Sequence, residues 1–142
     1  MAQAEVEKVV DVEMGKLLDV ITKYEAYPEF VDGVSRIEVE RKGPGQSRVK
    51  YWLKLIKDIE YVVNMQENRE HGEVKWTLAE SSFLNKNEGG WKLTAAGPGR
   101  TKVHYSLEVE FKVPVPGLIL RGLIKSTLPS TVESFVKRAK QG

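Results

Sequence analysis

The sequence predicts an α+β fold in which a curved antiparallel sheet of seven strands wraps around a long C-terminal helix, with two short helices after the first strand. Three observations carry that expectation. From Val34 to Lys112 apolar residues recur at every second position, and turn residues separate the runs, as in strands buried on one face. From Val113 onward the spacing changes: Leu120, Leu123, Ile124, Leu128, Val132, Phe135, Val136 and Ala139 fall three and four apart, which gathers them on one helix face. Before Val34, an alternating opening stretch is followed by two short segments of helical character.

In chain order, Gln3 to Val12 sets Ala4, Val6, Val10 and Val12 on one side, with Lys8 among them, and reads as the first strand. Asp11 or Glu13 opens a helix over Met14 to Lys23, whose stripe is Leu17, Val20, Ile21 and Tyr24. Tyr27-Pro28-Glu29-Phe30-Val31 reads as a second short helix with proline in its first turn, ended by Asp32-Gly33. Ile37 and Val39 mark the second strand, and Gly43-Pro44-Gly45 turns the chain into Val49, Tyr51, Leu53 and Leu55. A join near Lys57-Asp58 leads to Ile59, Tyr61, Val63 and Met65; His71-Gly72 then turns into Val74, Trp76 and Leu78. A loop over Ser81 to Asn87 precedes Trp91, Leu93 and Ala95, and Gly97-Pro98-Gly99 precedes the longest alternation, Thr101, Val103, Tyr105, Leu107, Val109 and Phe111.

The final segment is expected to be divided. Pro114 and Pro116 make a stiff entry, and Pro129 removes a hydrogen bond and bends or breaks the helix. An apolar front from Leu118 to Leu128, loosened by Gly117 and Gly122, is the expected entrance of a lid, and the rear ending in Phe135-Val136-Lys137-Arg138-Ala139 is its anchor.

Composition narrows the function classes. The 142 residues, 41% hydrophobic and 30% charged, fit one globular domain with a real core. No apolar run approaches the ~18 residues of a membrane span. The opening MAQAEVEKVV lacks the basic start and apolar block of a secretory signal, so the cytoplasm is the expected location. Cysteine is absent, which removes disulfides and thiolate chemistry. The net charge of +2 does not point to nucleic acid, and no exposed basic stripe interleaved with aromatics is legible. From Pro116 to Gly142, however, five basic residues stand against Glu133 alone. That face is either a solvated helix surface or a peripheral contact with an anionic membrane, with Arg121 and Lys125 as the contact residues. Trp52, Ile56 and Val62 are apolar on the outer row of neighbouring strands, either as scattered surface residues or as a homodimer contact.

Sorting the strands by parity puts Tyr51, Leu53, Tyr61, Met65, Trp76, Trp91, Leu93, Tyr105 and Leu107 on the inner row. Lys54, Glu60, Asn64, Lys75, Lys92, Lys102, His104, Glu108 and Glu110 fall on the other. An apolar row with phenol and indole handles is either an ordinary packed core or the wall of a cavity for an apolar ligand. Catalytic signals are weak. His71 sits in a turn, His104 has outer parity, and Glu67 and Lys57 share the inner parity only at strand ends. Ser47 and Ser106 have no evident base, and two distant histidines offer no metal-ligand cluster. Neither a catalytic residue nor a cofactor is expected. The glycine pairs and triplets, Gly89-Gly90 included, read as hairpin turns rather than phosphate cradles, since no helix follows them.

The order of strand, two helices, six strands and long helix is that of the helix-grip fold. With Tyr27-Pro28-Glu29-Phe30 after the first helix, Gly90-Trp91-Lys92-Leu93 and Thr101-Lys102-Val103-His104-Tyr105 in the sheet and Ser134-Phe135-Val136-Lys137-Arg138-Ala139 at the end, the chain resembles the START-like (SRPBCC) superfamily. Within it, the resemblance is to the branch of coenzyme-Q-binding and polyketide cyclase/dehydrase-like proteins. Asp32-Gly33-Val34 stands where the quinone-binding branch often has tryptophan and cysteine. The resemblance implies a hydrophobic small molecule, a lipid, isoprenoid quinone or polyketide-like chain, held between sheet and lid by the inner row together with Leu120, Leu123, Ile124 and Leu128. It also implies an enzymatic alternative, cyclisation or dehydration of a polyketide-like chain guided by Tyr51, Tyr61 and Tyr105. Relatives resembling ribosome-associated toxins leave a protein partner open.

Overall fold

The structure, a computed structural model, describes residues 2–31, 33–54, 58–112, 114, 116–117 and 128–141. Strand β1 (Ala2–Val10) leads to helix α1 (Met14–Thr22) and a 3-10 helix (Tyr24–Glu29). Six strands follow: β2 (Val34–Gly43), β3 (Gln46–Lys54), β4 (Asp58–Asn68), β5 (Glu73–Glu80), β6 (Leu84–Ala95) and β7 (Thr101–Phe111), and then helix α2 (Leu128–Gln141). They form one seven-stranded sheet in the order β1-β7-β6-β5-β4-β3-β2, antiparallel throughout. Each strand from β2 to β7 therefore lies beside its chain neighbours, and β1 closes the series by pairing with β7. This is the α+β arrangement the alternation predicts.

Local chemistry explains where elements turn. Gly45 (φ 72°) and Gly72 (φ 67°) occupy the left-handed region, which a residue with a Cβ enters at a steric penalty. The α1 stripe is buried as expected at Leu17, Ile21 and Tyr24, each 0% exposed, with Leu18 added. In α2, Val132, Phe135, Val136 and Ala139 are buried, the three-and-four spacing read from the sequence. Lys8 interrupts the apolar row of β1 because its ammonium pairs with Glu133 of α2.

Several boundaries differ from expectation. The first strand ends at Val10; Val12 is still buried, and its carbonyl accepts from the Thr101 hydroxyl at 2.7 Å. The second short helix is a 3-10 segment that starts earlier, at Tyr24, and holds Pro28 inside it, because Tyr24, Ala26 and Tyr27 are drawn into the core. The expected loop from Ser81 to Asn87 shrinks to Ser81–Phe83. Ser81 Oγ accepts from the Phe83 and Leu84 amides at 3.0 and 3.1 Å, which turns the chain early and lets β6 pair with β7 from Leu84 opposite Phe111. Gly89 and Gly90 are accordingly not a turn. They lie mid-strand, opposite Leu107 and Ser106. Pro129 stands in the first turn of α2, where its missing N–H is unneeded. The segment in which a bend was expected, and the entrance from Leu118 to Leu128, lie outside the described residues apart from the start of α2.

Candidate functional site

The inner face of the sheet divides into two halves. Towards α1 and α2 it is closed: Val10, Val49, Val63, Met65, Val74, Leu93 and Val103 are all buried and join Leu17, Ile21, Val132 and Val136 in one core. Further along the same strands, Tyr51, Leu53, Tyr61, Trp76 and Leu107 are only half-buried. Trp91 and Tyr105, 3% and 7% exposed, form the border. The parity that placed all nine on one face is therefore correct, but it brings together two environments.

Aromatic rings connect the halves. Phe135 of α2 meets Tyr27, Phe30 and Trp91 edge-on, at centroid distances of 5.1, 5.1 and 4.9 Å. From Tyr27 one arm runs through Tyr51 (6.2 Å) to Tyr61, whose ring stacks on Tyr51 at 4.9 Å and 13°. From Trp91 the other arm runs through Tyr105 (4.7 Å) to Trp76 (5.8 Å). The arms meet at Asn87, which is 5% exposed. Its Oδ1 accepts from Trp76 Nε1 at 3.0 Å, and its side chain partly offsets the effect of burial on the Tyr61 hydroxyl. Gly89 makes this junction possible, because a Cβ there would stand 2.9 Å from Trp76 Cζ2.

The electrostatics favour neutral hydrogen bonding. Burial pushes the hydroxyls of Tyr27, Tyr51, Tyr61 and Tyr105 up from their ordinary range. Tyr24 is raised by burial and by its bond to Glu67 at 2.5 Å. These phenols stay protonated at neutral pH and serve as donors and acceptors, not as bases. Glu67 sits at the closed end of β4 under Tyr24. His71 lies in a 3-10 turn (Arg69–His71), and His104 faces outward 3.8 Å from Glu5. On the outer face Trp52 is covered by Arg36 and Lys50 at 4.8 and 4.7 Å, and Val62 is buried; Ile56 lies outside the described residues.

Of the residues expected to line a cavity, the structure gathers Tyr51, Leu53, Tyr61, Trp76 and Leu107 in the accessible half and Met65, Trp91, Leu93 and Tyr105 in or beside the closed one. Leu120, Leu123 and Ile124 fall outside the described residues, and of Leu128 only its place at the start of α2 is described. Sequence reasoning missed Asn87, hidden in the polar string Asn-Lys-Asn-Glu-Gly-Gly. Counting back by twos from Trp91 reaches it through Gly89. Tyr27 and Phe135 were also left out of the site, since one was read as a motif residue and the other as helix packing.

Among the described residues no helix is long and apolar enough to cross a membrane. A model of the family described as polyketide cyclase/dehydrase and lipid transport matches residues 10–136. The persistence and stress-resistance toxin PasT of Escherichia coli O6:H1 is 20% identical over 126 residues, which is 89% of this chain and 79% of that protein. A START superfamily protein from Mycobacterium smegmatis superposes with a TM-score of 0.84 at 18% identity, covering 99% of both chains. The Zhui aromatase/cyclase from Streptomyces sp. R1128 superposes at 0.83 and 10% identity, over 98% of this chain and 93% of that one. At such identities the likeness is one of fold.

Proposed function

This chain belongs to the polyketide cyclase/dehydrase and lipid transport family and has its START-like fold, and we propose that it binds and carries an apolar small molecule on the accessible half of the inner face. The observation that supports this reading above all is that Tyr51, Leu53, Tyr61, Trp76 and Leu107 keep accessible surface beside the closed apolar core. A wall of that composition binds by burial of apolar area, and a few fixed polar groups orient the ligand. Tyr61 and Asn87 are the orienting groups, with Tyr51 beside them. Met65, Trp91, Leu93 and Tyr105 back this surface. Protonated phenols and outward histidines leave a general base without a candidate among the described residues of that space, which favours carriage over chemistry. Solvent extraction of the purified protein followed by mass spectrometry is expected to yield a bound apolar compound. If nothing is extracted, and fatty acids, isoprenoid quinones and aromatic polyketides all leave tryptophan fluorescence unchanged, the reading fails.

One observation favours a second reading. The Trp76–Asn87 hydrogen bond, with Tyr61 beside it, could hold the carbonyls of a poly-β-keto chain, as suits a cyclase or dehydratase. Ring product formed from such a chain at rates that fall with Tyr61→Phe would favour the enzyme over the carrier.

A further inference from the structure

Asn87 is a buried amide with two different ends, an oxygen that accepts and a nitrogen that carries two N–H donors. Its surroundings hold it closely. Among the described residues the ladder between β5 and β6 ends at Trp76 opposite Gly89, and Asn87, beyond that point, pairs with β7 opposite Val109. Gly89 leaves room for the Trp76 ring, since a Cβ there would stand 2.9 Å from Cζ2, and Tyr105 meets that ring at 5.8 Å. The 3.0 Å bond from Trp76 Nε1 to Asn87 Oδ1 thus links the two strands where their backbone pairing stops.

The same bond settles which way the amide points. An indole N–H can only donate. Turning the amide over would set N–H against N–H, so the oxygen stays on Trp76 and the nitrogen faces away from it. Among the described residues the bond from Trp76 is the amide's one direct hydrogen bond, and none of their fully buried side-chain nitrogens or oxygens lacks a partner. Asn87 Nδ2 therefore reaches accessible space. The side chain opposes burial at the Tyr61 hydroxyl, the sign that an N–H donor on that side produces. Tyr61, Trp76 and Val109, which stand around the amide, are neutral, so a carboxylate placed there would lose its hydration with no cation to offset the loss.

We propose that Trp76 is a positioning residue for ligand choice: by holding the Asn87 oxygen it leaves N–H donors for the ligand, and the accessible half selects a neutral carbonyl oxygen over a hydroxyl or a carboxylate. The selection rests on the binding reading above, whereas the orientation of the amide does not. A carbonyl asks only for donors. An alcohol brings an O–H of its own, for which the fixed amide has no acceptor.

Octanophenone, its reduced alcohol and octylbenzene share one carbon skeleton and separate the cases. In isothermal titration calorimetry the full chain should bind the ketone about tenfold more tightly than the alcohol, and Trp76→Phe, which keeps a ring but frees the amide to turn, should bring the two within about threefold. A ratio unchanged by the substitution, or equal binding of ketone and alcohol by the natural chain, would overturn the proposal. Equal binding of ketone and octylbenzene would overturn it and leave the carrier reading standing; binding of none of the three would overturn both. The natural chain also gives a check free of any folding defect. On addition of octanophenone, the Asn87 side-chain N–H signals should shift more in nitrogen-edited NMR spectra than the Trp76 indole N–H, and movement of the indole signal alone would refute the assignment.

Discussion

The closed and accessible halves of the inner face are made from the same strands and the same alternation, yet they differ in what covers them. In the closed half, α1 and α2 bring Leu17, Ile21, Val132 and Phe135 against Val74, Leu93 and Val103, and almost nothing is left exposed. In the accessible half the row turns aromatic, keeps free surface and carries a buried amide at its centre. The difference teaches that the packed core and the proposed binding surface are drawn from one continuous apolar face. They separate where α1 and α2 stop covering it. A binding surface needs apolar area that folding has not already consumed.

Three experiments test that division, beginning with the largest effect. All five tyrosines of the chain (Tyr24, Tyr27, Tyr51, Tyr61 and Tyr105) touch this face, and each is raised above its ordinary range, by burial first. The unfolded chain releases these protons near pH 10, while the folded state holds them to higher pH. The associated stability is therefore fully present below about pH 10 and is lost as pH rises beyond it, because the unfolded state then binds fewer protons. Tyrosinate absorbance should appear in one step, coincident with loss of circular dichroism. Reversible ionisation of Tyr51 and Tyr61 near pH 10 in an intact fold would show that water reaches their hydroxyls in the accessible half.

Phe135→Ala removes a 3%-exposed ring shared by Tyr27, Phe30 and Trp91. It should cost about 3–5 kcal/mol in urea denaturation, the range for large-to-small changes in a packed core. A loss below about 1 kcal/mol would mean that the closed half collapses around the gap. Leu107→Ala, in the same sheet but half-buried, should cost only about 1 kcal/mol, since part of its area is exposed in both states. Its effect on retention of an extracted ligand should exceed its effect on stability. The opposite ranking would abolish the distinction between the halves.

Much of this was legible in the residues. Period-two runs brought Tyr51, Leu53, Tyr61, Met65, Trp76, Trp91, Leu93, Tyr105 and Leu107 to one face, as the core shows, because parity is a local property of the extended backbone. The α2 stripe was legible through Val132, Phe135, Val136 and Ala139 for the corresponding reason at helical spacing. Asn87 and Gly89 were not legible. Polar residues and glycines side by side usually mark a turn, and here their strand conformation is imposed by pairing with Val109 and Leu107, far along the chain. Lys8 in an apolar row made sense only once Glu133 was found opposite it.

By itself the sequence determined the elements, their order and the apolar face they share, since each depends on residues within a few positions of one another. The tertiary structure alone decided which part of that face is sealed, where the hairpin of β5 and β6 parts, and that a buried amide accepts from Trp76. Those features depend on which distant segment comes to lie over or beside each strand, and periodicity carries no record of long-range contact.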